Sequence, residues 1–354
     1  MLNEAVSAGE LGFLLGLVDP ALAARARSRT GVPEEDPATA AGRPEHSVWS
    51  WGRWFNDMPT SVLWWMLQED DPEVNVAVYH HWRTDERVRY DILKGIPYGP
   101  DRSGRLEVPE DLSGYPAPEL TMPSGPEALV AALHAVTGMS AGRAAARMVG
   151  RDEWASVAAA DLERPLPGYA RWALAIRPDC PSALRTQFGT HRKFTNRLRD
   201  AGVVDGPAAY ATGARPAHDV LRVLAMGRWG FPRRLPEAAG ALRPLVRAEL
   251  GANSEAWAVL VQLLPTFTGT LPELVRTAGA IAGGAGEDAG DPLSVASGNT
   301  ESPGEPEGSG HGSGGLTWDS TSGHDDDPWS TSPTGGRWSA GVRRIRTSWR
   351  RRSG

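Results

Sequence analysis

Cys180 is the single cysteine of the chain, and His191 follows it by 11 residues. A Cys–His nucleophile pair needs its base within hydrogen-bond reach and donors for the oxyanion. Nothing in the intervening letters, CPSALRTQFGTH, supplies such donors, and Cys180 falls in a turn after Pro178-Asp179. It reads as a small turn or cap residue. His80 and His81, with Asp85 and Glu86 nearby, are metal-ligand types. Adjacent side chains on a helix point about 100° apart, so these two imidazoles do not share an ion. His311, His324 and Asp325 to Asp327 would hold a cation only loosely. The glycines between Gly279 and Gly290 follow a helix pattern rather than a strand, so they form no dinucleotide fingerprint. These residues name no catalytic group, no metal site and no cofactor.

Aromatic and basic residues carry more. Trp49, Trp51, Trp54, Trp64 and Trp65 lie within 17 residues. Such clusters serve as core or as anchors at an interface. Trp64 and Trp65 are neighbours on one helix, so one is expected in the core and the other at a helix seam or interface. Trp82 joins them as a candidate on the same face. Trp318, Trp329, Trp338 and Trp349 stand in an otherwise polar segment with spacings of 11, 9 and 11. They have no local core to enter and read as linear docking anchors.

Two segments could meet phosphate or an acidic partner. In THRKFTNRLRDAG, Phe194, Leu198 and Ala201 form a helical stripe, and His191, Arg192, Lys193, Arg197 and Arg199 take the other positions. Guanidinium groups pair well with phosphates, but a solvated face explains the same pattern. At the C-terminal end of the sequence, Arg343, Arg344, Arg346, Arg350, Arg351 and Arg352 fall within ten residues. That run suits nucleic acid, an anionic surface or an acidic partner. Bulk attraction to a polyanion is excluded, because the net charge is −6 and the residues before 283 include 30 basic and 33 acidic side chains.

The elements that must position these residues are helical. Asp71-Pro72-Glu73 is a helix start, with a cap oxygen, a proline suited to the first turn and an acid at the positive end of the dipole, and Thr84-Asp85-Glu86 caps the partner helix. A further start is expected at Pro59-Thr60-Ser61, with Thr60 as cap. Val74, Ala77, Val78 and His81 share one face at helical spacing, and Val88, Ile92 and Leu93 face inward from the partner helix. Three Ala-rich helices fit residues 126–164, and others start near Thr190, Gly206, Pro216, Pro236 and Ser254. No stretch alternates as a strand does.

The helix pair recurs. It appears at DPEVNVAVYHHWRTDERVRYDILKGIP, again from Gly168 in GYARWALAIRPDCPSALRTQFG, and more weakly from Glu255. A shift of 96 residues superposes Ala77 on Ala173, Val78 on Leu174, Thr84 on Cys180, Val88 on Leu184, Arg89 on Arg185 and Ile92 on Phe188. One pair cannot bury its own apolar face, so neighbours must stack.

RPDCP followed by Ser-Ala-Leu-Arg resembles the variant leucine-rich repeat proteins of bacteria, and DDPEVNVAVYHH resembles the same unit and also HEAT repeats. The resemblance covers about a quarter of the chain. It implies a helical-repeat scaffold used for protein–protein contacts. The Pro- and Gly-rich insertion at 99–125 departs from a regular array.

The expected organisation is an N-terminal helix at 1–30, a linker at 31–47, a helical-repeat body at 48–282 and a tail at 283–354. The tail is rich in Gly, Ser, Asp, Pro and Thr, which predicts disorder because too little apolar surface is available to offset ordering. LGFLLGLV from Leu11 to Val18 lacks a basic segment before it and is too short to cross a bilayer. With one cysteine, no internal disulfide can form, which fits the cytoplasm. The sequence therefore predicts an all-α, irregular, solenoid-like cytoplasmic body. It would act as a non-catalytic scaffold or adaptor for a protein partner. A nucleic-acid-associated regulator working through 190–202 and the arginine-rich end is the alternative, and an unrecognised enzyme is the third reading. The sequence is silent on oligomeric state.

Overall fold

A computed structural model describes residues 8–33, 57–100, 104–120, 125–188, 196, 198 and 201–287. The chain divides into two units, residues 1–294 and 295–354, and every described residue belongs to the first. The described residues are all-α, with no strand and one isolated bridge between Pro216 and Thr270. Among them no helix is long and apolar enough to cross a membrane.

The first helices are α1 (Ala8–Leu15), α2 (Pro20–Thr30), α3 (Thr60–Leu67), α4 (Pro72–His80) and α5 (Glu86–Leu93). Their starts follow local chemistry. Asp19, Asp71 and Asp85 each accept backbone N–H groups of the first turn, and Pro20 and Pro72 take positions where no intrahelical donor is needed. Gly31 closes α2 in the left-handed conformation and donates its N–H to Arg27. At α3 the expected cap is replaced. Pro59 stands at the N-cap, and the Thr60 hydroxyl donates to the Ala201 carbonyl while Ser61 Oγ accepts from Val204 N–H. The distant 201–204 segment outcompetes the local cap because it brings its own unmet donor and acceptor.

A short helix, α6 (Glu110–Ser113), lies inside the 99–125 insertion. Next come α7 (Pro126–His134), α8 (Met139–Arg147), a 3₁₀ turn at Arg151–Glu153, α9 (Trp154–Glu163), α10 (Gly168–Ala175) and α11 (Ser182–Phe188). The last five are α12 (Pro207–Thr212), α13 (Ala217–Gly230), α14 (Leu235–Glu249), α15 (Ser254–Leu263) and α16 (Leu271–Glu287).

These helices build two hydrophobic clusters. The larger joins α1–α5 to α12–α16 and includes Leu112 of α6. Leu11, Phe13, Leu14, Leu15, Leu17 and Val18, the apolar stretch of the N-terminal sequence, are all buried there. That run is apolar on every side, so it is a core helix rather than a surface one. It packs on α13, whose Val220, Leu221 and Leu224 are fully covered. The smaller cluster holds α7–α11. In it α8 crosses α10 so closely that a Cβ on Gly142 would stand 2.6 Å from the Tyr169 carbonyl oxygen. Only glycine permits that approach.

All three copies of the repeated sequence form helix pairs: α4–α5, α10–α11 and α15–α16. The first and third belong to the larger cluster and the second to the smaller. In the first two copies the equivalent positions have equivalent burial. Ala77 and Ala173, Val78 and Leu174, Thr84 and Cys180, and Ile92 and Phe188 are buried, while Val88 is half-buried where Leu184 is buried.

Candidate functional site

The turn between α4 and α5, residues 81–85, concentrates the residues best placed to meet a partner. Its backbone is fixed from several sides. His81 N–H donates to Val78, Thr84 N–H to His81, and the Thr84 hydroxyl donates to the Val78 carbonyl at 2.6 Å. Arg83 N–H donates to His81 Nδ1 at 3.1 Å. From α5, Arg89 reaches back to the carbonyls of Tyr79 and His81, both at 3.2 Å. The five of these bonds that involve residues 81–85 leave the tip of so short a turn little freedom. That tip is Trp82, 62% exposed, with the Arg83 guanidinium 4.8 Å from its ring centroid.

The insertion extends this aromatic surface. Tyr115 packs edge-on against Tyr79 and His80, with ring centroids 5.3 and 5.6 Å away, and stays 46% exposed. Burial, with Arg89 beside it, lowers the His80 pKa below the ordinary 6.5, so its ring is neutral at pH 7. The insertion is tied down by Leu106 N–H on Gly95 and Arg105 on the Lys94 carbonyl.

The same turn lines a cavity of about 80 Å³ at the seam of the two clusters. Trp64 forms one wall and meets the Tyr98 ring edge-on at 5.3 Å. The Tyr98 hydroxyl donates to Asp91 Oδ2 at 2.7 Å, and Arg87 Nε donates to both Asp91 oxygens at 3.1 Å. Burial, and then the neighbouring Asp91, pushes the Tyr98 phenol well above 10, so it stays a donor. Asp70 positions this ring. It sits at φ 53°, and its carboxylate accepts Tyr98 N–H at 2.5 Å and Gly99 N–H at 2.8 Å. Opposite, Arg177 makes two bonds to Asp179, at 2.8 and 2.5 Å, and also donates to the Ala146 and Val149 carbonyls. Arg151 lies over the Tyr98 ring and donates to the Pro97, Tyr98 and Gly99 carbonyls.

Of the residues singled out in the sequence as binding a partner, Trp64, Trp65 and Trp82 are described. Trp65 is a correction: at 2% exposure it is core, enclosed by Tyr210 and Phe231, and no partner can reach it. Its neighbour Trp64 is half-buried at the seam, and Trp82 is on the surface. Trp49, Trp51, Trp54, Trp318, Trp329 and Trp338 lie outside the described residues. So do His191, Arg192, Lys193, Arg197 and Arg199, and Arg343, Arg344, Arg346, Arg350, Arg351 and Arg352. Sequence reasoning passed over Arg83, Tyr98, Tyr115, Asp91 and Arg177. One signal was available for the last: in the 96-residue register Arg177 falls on His81, the first residue of the equivalent turn.

Cys180 is buried, and burial pushes its thiol up to about 12. A thiol that stays protonated is no nucleophile at neutral pH. Among the described residues no group of three His, Cys, Asp or Glu side chains could hold a metal ion. Comparison with protein-family models, with curated proteins and with solved structures finds no match to the chain.

Proposed function

We propose that this chain is a non-catalytic helical-repeat adaptor that binds a protein partner through the turn between α4 and α5. The observation that carries the reading is Trp82, a large aromatic side chain exposed on a turn whose backbone is held by five hydrogen bonds. Tryptophan and arginine are the residues that most often dominate interface energies, and Trp82 and Arg83 are presented side by side. Fixing them before contact lowers the ordering cost of association. Tyr115 and His80 continue the surface. The repeated helix pairs are the scaffold, and the cytoplasm is the compartment we assign to it from the single cysteine.

The test compares wild type, Trp82→Ala and Leu162→Ala as bait in nuclease-treated lysate. Leu162 is 74% exposed on α9 and serves as the control for an unrelated apolar contact. The reading expects a protein that wild type and Leu162→Ala retain and Trp82→Ala loses by tenfold or more. Equal retention by all three, or loss of every bound protein on nuclease treatment, would overturn it.

A further inference from the structure

We propose that α7–α11 form a lid that swings away from the rest of the chain, and that Arg151 is the latch holding it shut over the Trp64–Tyr98 pair. The inference does not rest on the partner-binding reading.

The order of the chain makes a lid possible. The smaller cluster is built from one continuous stretch, residues 126–188, while the larger is built from chain on both sides of it. The backbone therefore crosses between them twice. The first crossing falls between Tyr115, which packs on Tyr79, and Gly125, which starts α7. The second falls between Leu198, which packs on the smaller cluster, and Ala201, whose carbonyl accepts the Thr60 hydroxyl. A glycine at positive φ stands at each: Gly125 at 110° and Gly202 at 72°. With ψ at 174°, Gly125 occupies a region closed to other residues. A few such element-terminal positions absorb the rotation of a hinge.

The seam is loosely packed. Among the described residues, no helix of the smaller cluster packs along a helix of the larger. Val149 of the lid and Leu63, Val78 and Val88 of the larger cluster line a cavity of about 80 Å³ between them. A gap of that kind forfeits dispersion contacts, and two bodies without a large apolar interface move relative to each other.

The 3₁₀ turn of the lid spans the seam. Arg151 donates to the carbonyls of Pro97, Tyr98 and Gly99, and its guanidinium lies 5.4 Å from the Tyr98 ring centroid. Asp70 and Asp91 fix Tyr98 from its own side, so the latch closes on a rigid catch. The Glu153 carboxylate, beside Arg87 at Gly150, is a second contact from the same turn. The three carbonyls are neutral and take water in place of Arg151 when the turn lifts. Arg87 keeps Asp91 and Arg177 keeps Asp179, each on its own side, so opening strands neither guanidinium without a carboxylate. The Arg185–Asp205 pair also crosses, but Asp205 is largely exposed and such a pair holds little. Opening uncovers Trp64, which is half-buried with Tyr98 edge-on against it.

Spin-label distances in the full chain test the lid. Leu162→Cys on α9, Ala24→Cys on α2 and Ala248→Cys on α14 are introduced two at a time, all at exposed positions. Cys180 is buried and stays unlabelled. The pair at 24 and 248, both in the larger cluster, should give one distance in every background. The two pairs that include 162 should show a second distance. The ratio of open to closed should rise about tenfold in Arg151→Ala, the factor expected for losing a hydrogen bond from a charged donor. Should Arg151→Ala lack a native circular dichroism spectrum, Arg151→Lys decides by the same ratio, since it keeps the charge and loses the fork. A single distance for both 162 pairs in the folded variant, an unchanged ratio, or equal broadening of all three pairs would overturn the proposal.

Discussion

Arg89 and Arg185 stand 96 residues apart and make the same contact. Each guanidinium donates to the carbonyl eight residues earlier, Arg89 to His81 at 3.2 Å and Arg185 to Arg177 at 3.4 Å. Each thereby clamps the turn joining its helix to the one before, and the turns match in backbone bonding too: Thr84 N–H on His81, Cys180 N–H on Arg177. The repeat is thus one of hydrogen bonding as well as of apolar spacing.

Removing the clamp should loosen both pairs. Arg89→Ala and Arg185→Ala are each expected to cost about 1.5–3 kcal/mol, the usual range for hydrogen bonds from a charged donor. Urea unfolding with circular dichroism measures this. Arg185→Ala should cost the more of the two, because Arg185 also pairs with Asp205. Unfolding midpoints equal to wild type would show that the clamps are ornamental.

Trp65 and Trp82 should separate stability from surface. Trp65→Ala is expected to cost about 3–5 kcal/mol, since it empties a site walled by Tyr210 and Phe231. Trp82→Ala should stay within about 0.5 kcal/mol of wild type. A large loss in the Trp82 variant would make it a structural residue and remove its value as a binding probe.

Two buried carboxyls should respond to pH with opposite sign. Glu10 on α1 lies 3.5 Å from Arg222 and 3.6 Å from His218 of α13, and burial outweighs the arginine and raises its pKa above 4.5. Its contribution to stability is full below the unfolded value of 4.5 and is lost as pH rises through the higher folded value. Glu10→Gln does not ionise, so it should gain on wild type as pH rises above the unfolded value of 4.5. Asp161 is the reverse. Burial raises its pKa, but bonds from Arg171, Leu166 N–H and Gln187 together bring it below 3.8. Its contribution is present above 3.8 and is lost as pH falls through the lower folded value, so Asp161→Asn should fall behind wild type as pH rises from there. Urea midpoints across this range check both, and parallel curves for variant and wild type would contradict the assignment.

Cys180 should be silent in the native chain. At pH 8 a thiol with a pKa of about 12 reacts slowly with a disulfide reagent. Unfolding in guanidinium should release one rapidly reacting thiol per chain, the number the sequence contains. Fast stoichiometric labelling without denaturant would mean that Cys180 is open to solvent.

The sequence alone determined what is local. Asp71-Pro72 and Thr84-Asp85 announce α4 and α5 because a cap oxygen and a fixed proline act within one turn. The 96-residue register could be read because burial in a helix follows a fixed period, and Ala77 and Ala173 must be small for the same reason. The sequence could also pair Trp64 with Trp65 as one inner and one outer residue, but not say which, since either face of α3 could have met the core. Tertiary structure made that choice by bringing Tyr210 and Phe231 to Trp65 and Tyr98 to Trp64. It alone decided that α1 shares a core with α13 while α10 belongs to another, and that Arg83, Asp91, Tyr98 and Arg177 meet at one cavity. Those contacts join segments far apart in the chain. Their energies depend on shape and desolvation once helices are packed, which no local propensity records.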